Sequence, residues 1–138
     1  MGTGKFLKEK NPAVQIVGVE PNDAFHGLEG LKHMESSIVP GIYREERLDR
    51  KVNVSTENAY ETVYMLGRLE GVLVGQSSGA AMWAAMQVAR ELDEGVVVTV
   101  FPDFGDKYLS TNLWIGWNEF NQRQLLPHSI PEETPPIF

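Results

Sequence analysis

Apolar positions along this chain change their period several times, and each change marks an element. Val14-Gln15-Ile16-Val17-Gly18-Val19, closed by Glu20-Pro21, is a mostly apolar, β-branched run. That is the pattern of a strand buried on both faces of a parallel sheet. Ala59, Val63, Leu66 and Leu69 recur at helical spacing. Ser55 before them reads as an N-cap, with Glu57 and Glu61 in the early turns where the helix dipole favours negative charge. Gly71 stands where a C′ glycine would end that helix. A second helix, rich in small residues from Ala80 through Ala85 and on to Val88, Ala89 and Leu92, closes at Gly95. Val72–Val74 and Val96–Phe101 are continuous apolar runs that predict buried strands, and Lys51–Val54 predicts a short edge strand. Lys5–Lys10 is a charged helical stretch stopped by Asn11-Pro12. Asn22 to Arg50, with Gly27, Gly30, Pro40 and Gly41, reads as a loop region holding a short helix over Leu28–Met34. Asn112–Phe120, carrying Trp114 and Trp117, predicts another short helix.

Strands alternating with helices require crossover connections, so the class is α/β with a parallel sheet between helical layers. The organisation expected is one domain over 1–120 and an extended or disordered tail over 121–138, where four of the eight prolines fall. The opening helix has barely two and a half turns, which is marginal in isolation. An upstream segment is therefore expected, with Met1 as the cut.

Composition narrows the function. The 138 residues are 42% hydrophobic and 22% charged, in the range of a globular domain. Twelve basic against 19 acidic side chains give a net charge of −7, which argues against binding nucleic acid or an anionic membrane. No apolar run approaches the roughly 20 residues of a membrane span, and no signal peptide opens the chain; a cytoplasmic location is expected. The absence of cysteine removes disulfides, thiolate nucleophiles and Cys-ligated zinc together.

Ligands of open α/β sheets gather at the carboxyl ends of strands, beside helix N-termini. Two segments qualify by position. Gly75-Gln76-Ser77-Ser78-Gly79 joins a strand to a helix and places two hydroxyls at the positive end of that helix. It suits an anion or the acceptor atom of a flat ring, or the serines simply cap the helix. The same residues match a Gly-x-Ser-x-Gly nucleophile elbow, but a hydrolase needs an acid and then a histidine downstream, and only His128 follows. The second segment, Pro102 to Thr111, packs charge, hydroxyls and rings just past a strand; a solvated surface loop is the alternative. His26, Glu29 and His33 share a helical spacing looser than metal sites use, so no metal site is expected. Met82, Trp83 and Met86 read as packing residues.

Taken together the segments resemble the C-terminal part of the cysteine synthase (O-acetylserine sulfhydrylase) family of fold-type II pyridoxal phosphate enzymes. Gly2-Thr3-Gly4-Lys5-Phe6-Leu7-Lys8 is similar to the helix after that family's phosphate loop, and Val17-Gly18-Val19-Glu20-Pro21 to its next strand. Gly75-Gln76-Ser77-Ser78-Gly79-Ala80-Ala81 resembles its Gly-Ile-Ser-Ser-Gly-Ala-Ala, and Tyr108-Leu109-Ser110-Thr111 its Tyr-Leu-Ser-Thr. Gly27-Leu28-Glu29-Gly30 and Val39-Pro40-Gly41-Ile42-Tyr43 lean toward the cysteine synthase B-like branch. Gln76 and Phe104 stand where Ile and Ser are commoner.

The resemblance implies an incomplete three-layer α/β/α sheet of the tryptophan synthase β-like type. It implies pyridoxal 5′-phosphate as cofactor, with Ser77 hydrogen-bonding the pyridine nitrogen and Gly75 and Asp103 also at the cofactor. The implied reaction is β-replacement (transferase or lyase chemistry), making L-cysteine from O-acetylserine or a similar activated serine and a sulfur donor. The complete enzyme would be a homodimer. The family's Schiff-base lysine lies in an N-terminal half that this chain lacks, and none of Lys5, Lys8, Lys10, Lys32, Lys51 or Lys107 sits in its motif. The chain alone is therefore expected to contribute no catalytic residue and to be inactive. The alternative is a non-catalytic α/β binding or interaction module on the same scaffold.

Overall fold

The computed structural model describes residues 1–125. Helix α1 (Gly2–Lys10) leads into strand β1 (Val17–Pro21), which pairs in parallel with β2 (Arg50–Val54), from Val17 opposite Arg50 to Pro21 opposite Val54. Helix α2 (Thr56–Met65) follows, then α3 (Gln76–Ala89) and α4 (Trp117–Leu125). Asp49 ties the start together: its carboxylate accepts from Lys8 Nζ at 2.7 Å and from the Ile16 amide at 2.7 Å. The lysine contact, then the amide, holds the Asp49 carboxyl below its ordinary pKa.

Local chemistry sets the boundaries of α2. Ser55 Oγ accepts from the Asn58 amide at 3.1 Å, which caps the helix as its sequence predicts. The last turn widens into a π-helical turn over Leu66–Glu70, and Gly71 ends it with φ +69°, a left-handed conformation that suits glycine.

Two apolar clusters meet across α2 and α3. Leu28, Val52, Val54, Ala59, Ala80 and Ala84 form one, between the sheet and the helices; Val63, Tyr64, Leu66, Val74, Met82, Tyr108, Leu113 and Phe120 form the other. The small residues of α3 bring backbones close together. A Cβ on Gly79 would overlap the Ala59 carbonyl oxygen and stand 2.6 Å from Val63 Cγ2. Trp83 and Met86 pack against these clusters, as expected of packing residues.

Several expectations need correction. Residues Leu28–Met34 form no helix; Gly30 takes φ +86° and Leu28 is fully buried as a core plug, so the loop spends its apolar residue on tertiary packing. A single 3₁₀ turn, Met34–Ser36, follows it. Strand β1 begins three residues later than the apolar run, and Val17 to Val19 remain half-buried, because no third strand of the described residues flanks it. Val72–Val74 is not a strand: only Val74 is buried, in an isolated antiparallel bridge to Phe104. Val96–Phe101 pairs with nothing among the described residues, and Val96 and Val98 are 88% and 83% exposed.

The C-terminal helix predicted over Asn112–Phe120 splits at Gly116 into a 3₁₀ turn, Asn112–Trp114, and α4. Here Tyr64, Trp114, Trp117 and Phe120 pack ring against ring, with centroids 5.4–6.4 Å apart. Helix α4 runs on to Leu125, into the stretch expected to be extended, while 126–138 lie outside the described residues.

Candidate functional site

The two segments singled out by sequence come together in space through their backbones. The Gly75 amide donates to the Asp103 carbonyl at 3.2 Å, and the Gly105 amide to the Leu73 carbonyl at 3.2 Å. These bonds flank the Val74–Phe104 bridge and fix the entry to α3 against residues 103–105. Gly75 is the N-cap of α3, with no side-chain cap bond. Ser77 is therefore the second helical residue and does not cap the helix; its side chain is half-buried.

Gly75 is a cradle whose side is filled by neighbours. A Cβ there would overlap Asp103 Oδ1 and stand 2.5 Å from Tyr108 Cε2. Asp103 Oδ2 accepts from the Tyr108 hydroxyl at 2.7 Å, and Lys107 Nζ stands 3.9 Å from the same oxygen. Asp103 Oδ1 and Ser78 Oγ are buried with no hydrogen-bond partner among the described residues. Buried polar atoms are seldom left unpaired in folded proteins, so both invite a partner at this end of α3.

The carboxylate acts on Tyr108 in return. Its hydrogen bond, and then burial, push the phenol up to about 12. The native state thus favours the protonated phenol. The stabilisation from this shift is fully present below pH ~10 and is lost as pH rises towards 12. Tyr108→Phe should flatten that part of the stability–pH curve. Thermal melts of both proteins over this pH range check it, and an equally steep fall in the variant would assign the effect to other groups.

The remaining candidates separate. His26 Nδ1 accepts from the Leu28 amide at 3.2 Å, and His33 Nδ1 contacts Ser36 Oγ at 2.9 Å. Neither is hydrogen-bonded to Ser77, and His128 lies outside the described residues, so the acid–histidine relay of a hydrolase is not assembled among the described residues. No group of three metal-ligating side chains gathers among them either. A cleft of about 520 Å³ lies elsewhere, between α1 and residues 46–49. Its lining charges Lys8 and Asp49 pair with each other, and the unpaired polar atoms make the α3 terminus the stronger candidate.

In sequence Gln76 stands out only as a departure from a commoner residue. It is almost fully buried and bonded to three separate segments. The one sequence signal was a long polar side chain inside an otherwise small or apolar junction.

The sequence profile of the family described as "Pyridoxal-phosphate dependent enzyme" matches residues 1–103. The chain belongs to this family. It is 56% identical over 118 residues to a cysteine synthase of Aquifex aeolicus, an alignment covering 83% of this chain and 36% of that protein. It is 39% identical over 114 residues to cysteine synthase B of Pseudomonas aeruginosa, covering 83% and 38%. Among solved structures, O-acetyl serine sulfhydrylase isoform 3 from Entamoeba histolytica superposes with a TM-score of 0.76 at 29% identity, over 88% of this chain and 40% of that one. An O-ureido-L-serine synthase gives 0.76 at 32% identity, over 84% and 39%. The chain thus spans little more than a third of the curated relatives it matches. The incomplete α/β class with a parallel sheet agrees with these neighbours. No helix among the described residues is long and apolar enough to cross a membrane.

Membership brings pyridoxal phosphate as the cofactor. The residues at the α3 terminus fit a flat, polar-edged ring. The Ser77 hydroxyl makes no hydrogen bond among the described residues, Asp103 Oδ1 and Ser78 Oγ are buried and unpaired at the same end of α3, and the missing Cβ of Gly75 is what lets Asp103 and Tyr108 close against that end.

Proposed function

We propose that this chain is the C-terminal cofactor-domain portion, residues 1–120, of a cysteine synthase, and that Ser77 is its hydrogen-bond partner for the pyridine nitrogen of pyridoxal 5′-phosphate. The observation that carries the reading is the Ser77 hydroxyl in the first turn of α3, not used as a cap, at the end of the helix where Asp103 Oδ1 and Ser78 Oγ are buried and unpaired. When bound, the cofactor supplies the electron sink for bond breaking at the α-carbon of an amino acid.

The chain's own residues hold and tune. A serine hydroxyl is neutral, so it can share a hydrogen bond with the ring nitrogen without charging it as a carboxylate would. That tempers carbanion stabilisation and suits elimination and replacement at the β-carbon. The amide dipoles of α3 add partial positive charge at the same end. Gly75, without a side chain, admits Asp103 against the entry to α3, and Asp103, steadied by Tyr108, keeps one oxygen unpaired there. The reaction proposed is replacement of the leaving group of O-acetylserine, or a similar activated serine, by sulfide. The complete enzyme would be a cytoplasmic homodimer. The lysine that links the cofactor would come from outside this chain.

The test combines this chain with the separately produced lysine-bearing portion of a cysteine synthase and titrates in pyridoxal phosphate. Loss of one neutral hydrogen bond is worth ~1 kcal/mol, or about fivefold in affinity. Ser77→Ala should weaken cofactor binding by that order, and Ser77→Asp should alter the visible spectrum by charging the ring nitrogen. Borohydride added to the 138-residue chain alone should leave no cofactor covalently attached. Identical affinity and spectrum in both Ser77 variants would remove the serine from the cofactor.

A further inference from the structure

Gln76 opens α3 and is 1% exposed. A buried primary amide has two donors and an acceptor oxygen to satisfy, and leaving them unpaired is costly. Here Oε1 accepts from the Glu29 amide at 2.6 Å, while Nε2 donates to the Tyr60 hydroxyl at 3.2 Å and reaches Thr111 Oγ1 at 3.5 Å. The orientation of the amide follows from the partners, since a backbone N–H can only donate and must face the oxygen.

These partners stand on three different segments, the loop after β1, the middle of α2 and the turn after Tyr108. Two further bonds close a ring around the loop. Tyr60 donates its hydroxyl proton to the Gly27 carbonyl at 2.8 Å, and the Gly27 amide donates to Thr56 Oγ1 at 2.9 Å. There is no spare room in the ring: a Cβ on Gly27 would stand 2.9 Å from Thr56 Cγ2 and from the Tyr60 hydroxyl. Between them Leu28 plugs the core. Thr111 is fixed in turn, donating to the Tyr108 carbonyl at 2.8 Å. Ser77 is the next residue after Gln76, so turning the first helical turn would break all three bonds of the Gln76 amide at once.

We propose that Gln76 is the positioning residue of this site: its side-chain amide locks the Gly27–Glu29 loop and Thr111 to the first turn of α3, so that these segments and Ser77 move as one body. The inference rests on the reading of Ser77 given above. Its test needs no cofactor, so a failure of the lock and a failure of the Ser77 assignment are told apart.

The experiment is amide hydrogen exchange and amide proton shifts on the 138-residue chain. Exchange of a single amide reports the local opening that exposes it. The short bond to Oε1 should place the Glu29 amide proton far downfield. Gln76→Met, nearly the same shape without the polar atoms, should speed exchange at Glu29 by about tenfold and move its proton upfield, while Val63 and Ala84 stay within about threefold. Gln76→Glu, which keeps the acceptor, should restore the downfield proton and the protection at Glu29. Tyr60→Phe leaves Gln76 in place and should speed exchange at Glu29 severalfold. An unchanged Glu29 in the methionine chain overturns the proposal. So does protection lost equally at Glu29, Val63 and Ala84, which would make Gln76 a packing residue only. Should the methionine chain not fold, an unchanged Glu29 in Tyr60→Phe overturns it instead.

Discussion

Replacing Gly79 by alanine is expected to lower the melting temperature of this chain by roughly 5–10 °C, from one added methyl group. Two effects of opposite sign compete. Alanine favours a helix interior over glycine by about 1 kcal/mol. Against this, the new Cβ would overlap the Ala59 carbonyl and crowd Val63 Cγ2 at 2.6 Å. A flexible side chain could yield, but a backbone carbonyl inside α2 cannot, so the two helices must separate. Separation loosens Ala59 against Ala80, which belong to the same buried cluster. Overpacking of a tight core costs ~1–3 kcal/mol, occasionally more, and with a backbone atom as the obstacle the upper part of that range applies. Less the helix gain, a net loss of ~2 kcal/mol remains, which corresponds to roughly 5–10 °C at this chain length. Gly2→Ala is the control, because nothing lies within 4 Å of its added Cβ. Circular dichroism melts of the two variants decide the matter, and a Gly79→Ala protein as stable as the parent would mean that the helices do not approach as described.

Gly75→Ala is expected to strike the site itself. The backbone there, φ −79° and ψ 175°, is open to any residue, so the whole effect is steric. The added Cβ takes the place of Asp103 Oδ1 and presses on the Tyr108 ring. The carboxylate must swing away, which breaks its 2.7 Å bond from Tyr108. The bond is the main cause of the raised phenol pKa, so the Tyr108 titration should fall back towards its ordinary value, and stability should drop by ~1–3 kcal/mol. Ultraviolet difference titration reads the first effect, and a denaturant melt the second. Adding Asp103→Ala to the variant should recover part of the lost stability, because the two substitutions relieve the same overlap. Purely additive losses would show that Gly75 and Asp103 do not share this space.

What could be read from the sequence was what short stretches of chain decide for themselves. Ser55 caps α2 with a bond three residues away, and Gly71 takes the left-handed turn its position predicts. The junction at Gly75–Gly79 was recognisable because a strand-like run, glycines and serines sit side by side in sequence. The runs at Val72–Val74 and Val96–Phe101 were misread for the opposite reason. An apolar β-branched run fits a strand, but a strand exists only where another offers its hydrogen bonds, and none of the described residues does so for Val96–Phe101. Leu28 fits a short helix by its local sequence, but its burial comes from residues such as Val54 and Ala80 that are distant in sequence. Gln76 was the hardest to see. Its partners lie 47, 16 and 35 residues away, and no local rule connects them.

The bridge between Val74 and Phe104 bears on how such a site can change over evolutionary time. Its two bonds run between backbone atoms of residues 73, 75, 103 and 105, and the Phe104 side chain itself is 71% exposed. The register between the helix entry and the Asp103 turn is therefore indifferent to which side chain stands at 104. Another side chain could replace the phenylalanine without moving Gly75 or Asp103. Mutation can thus change the exposed side chain at this turn while the backbone beneath keeps one geometry, which leaves position 104 open to drift and position 75 closed to it.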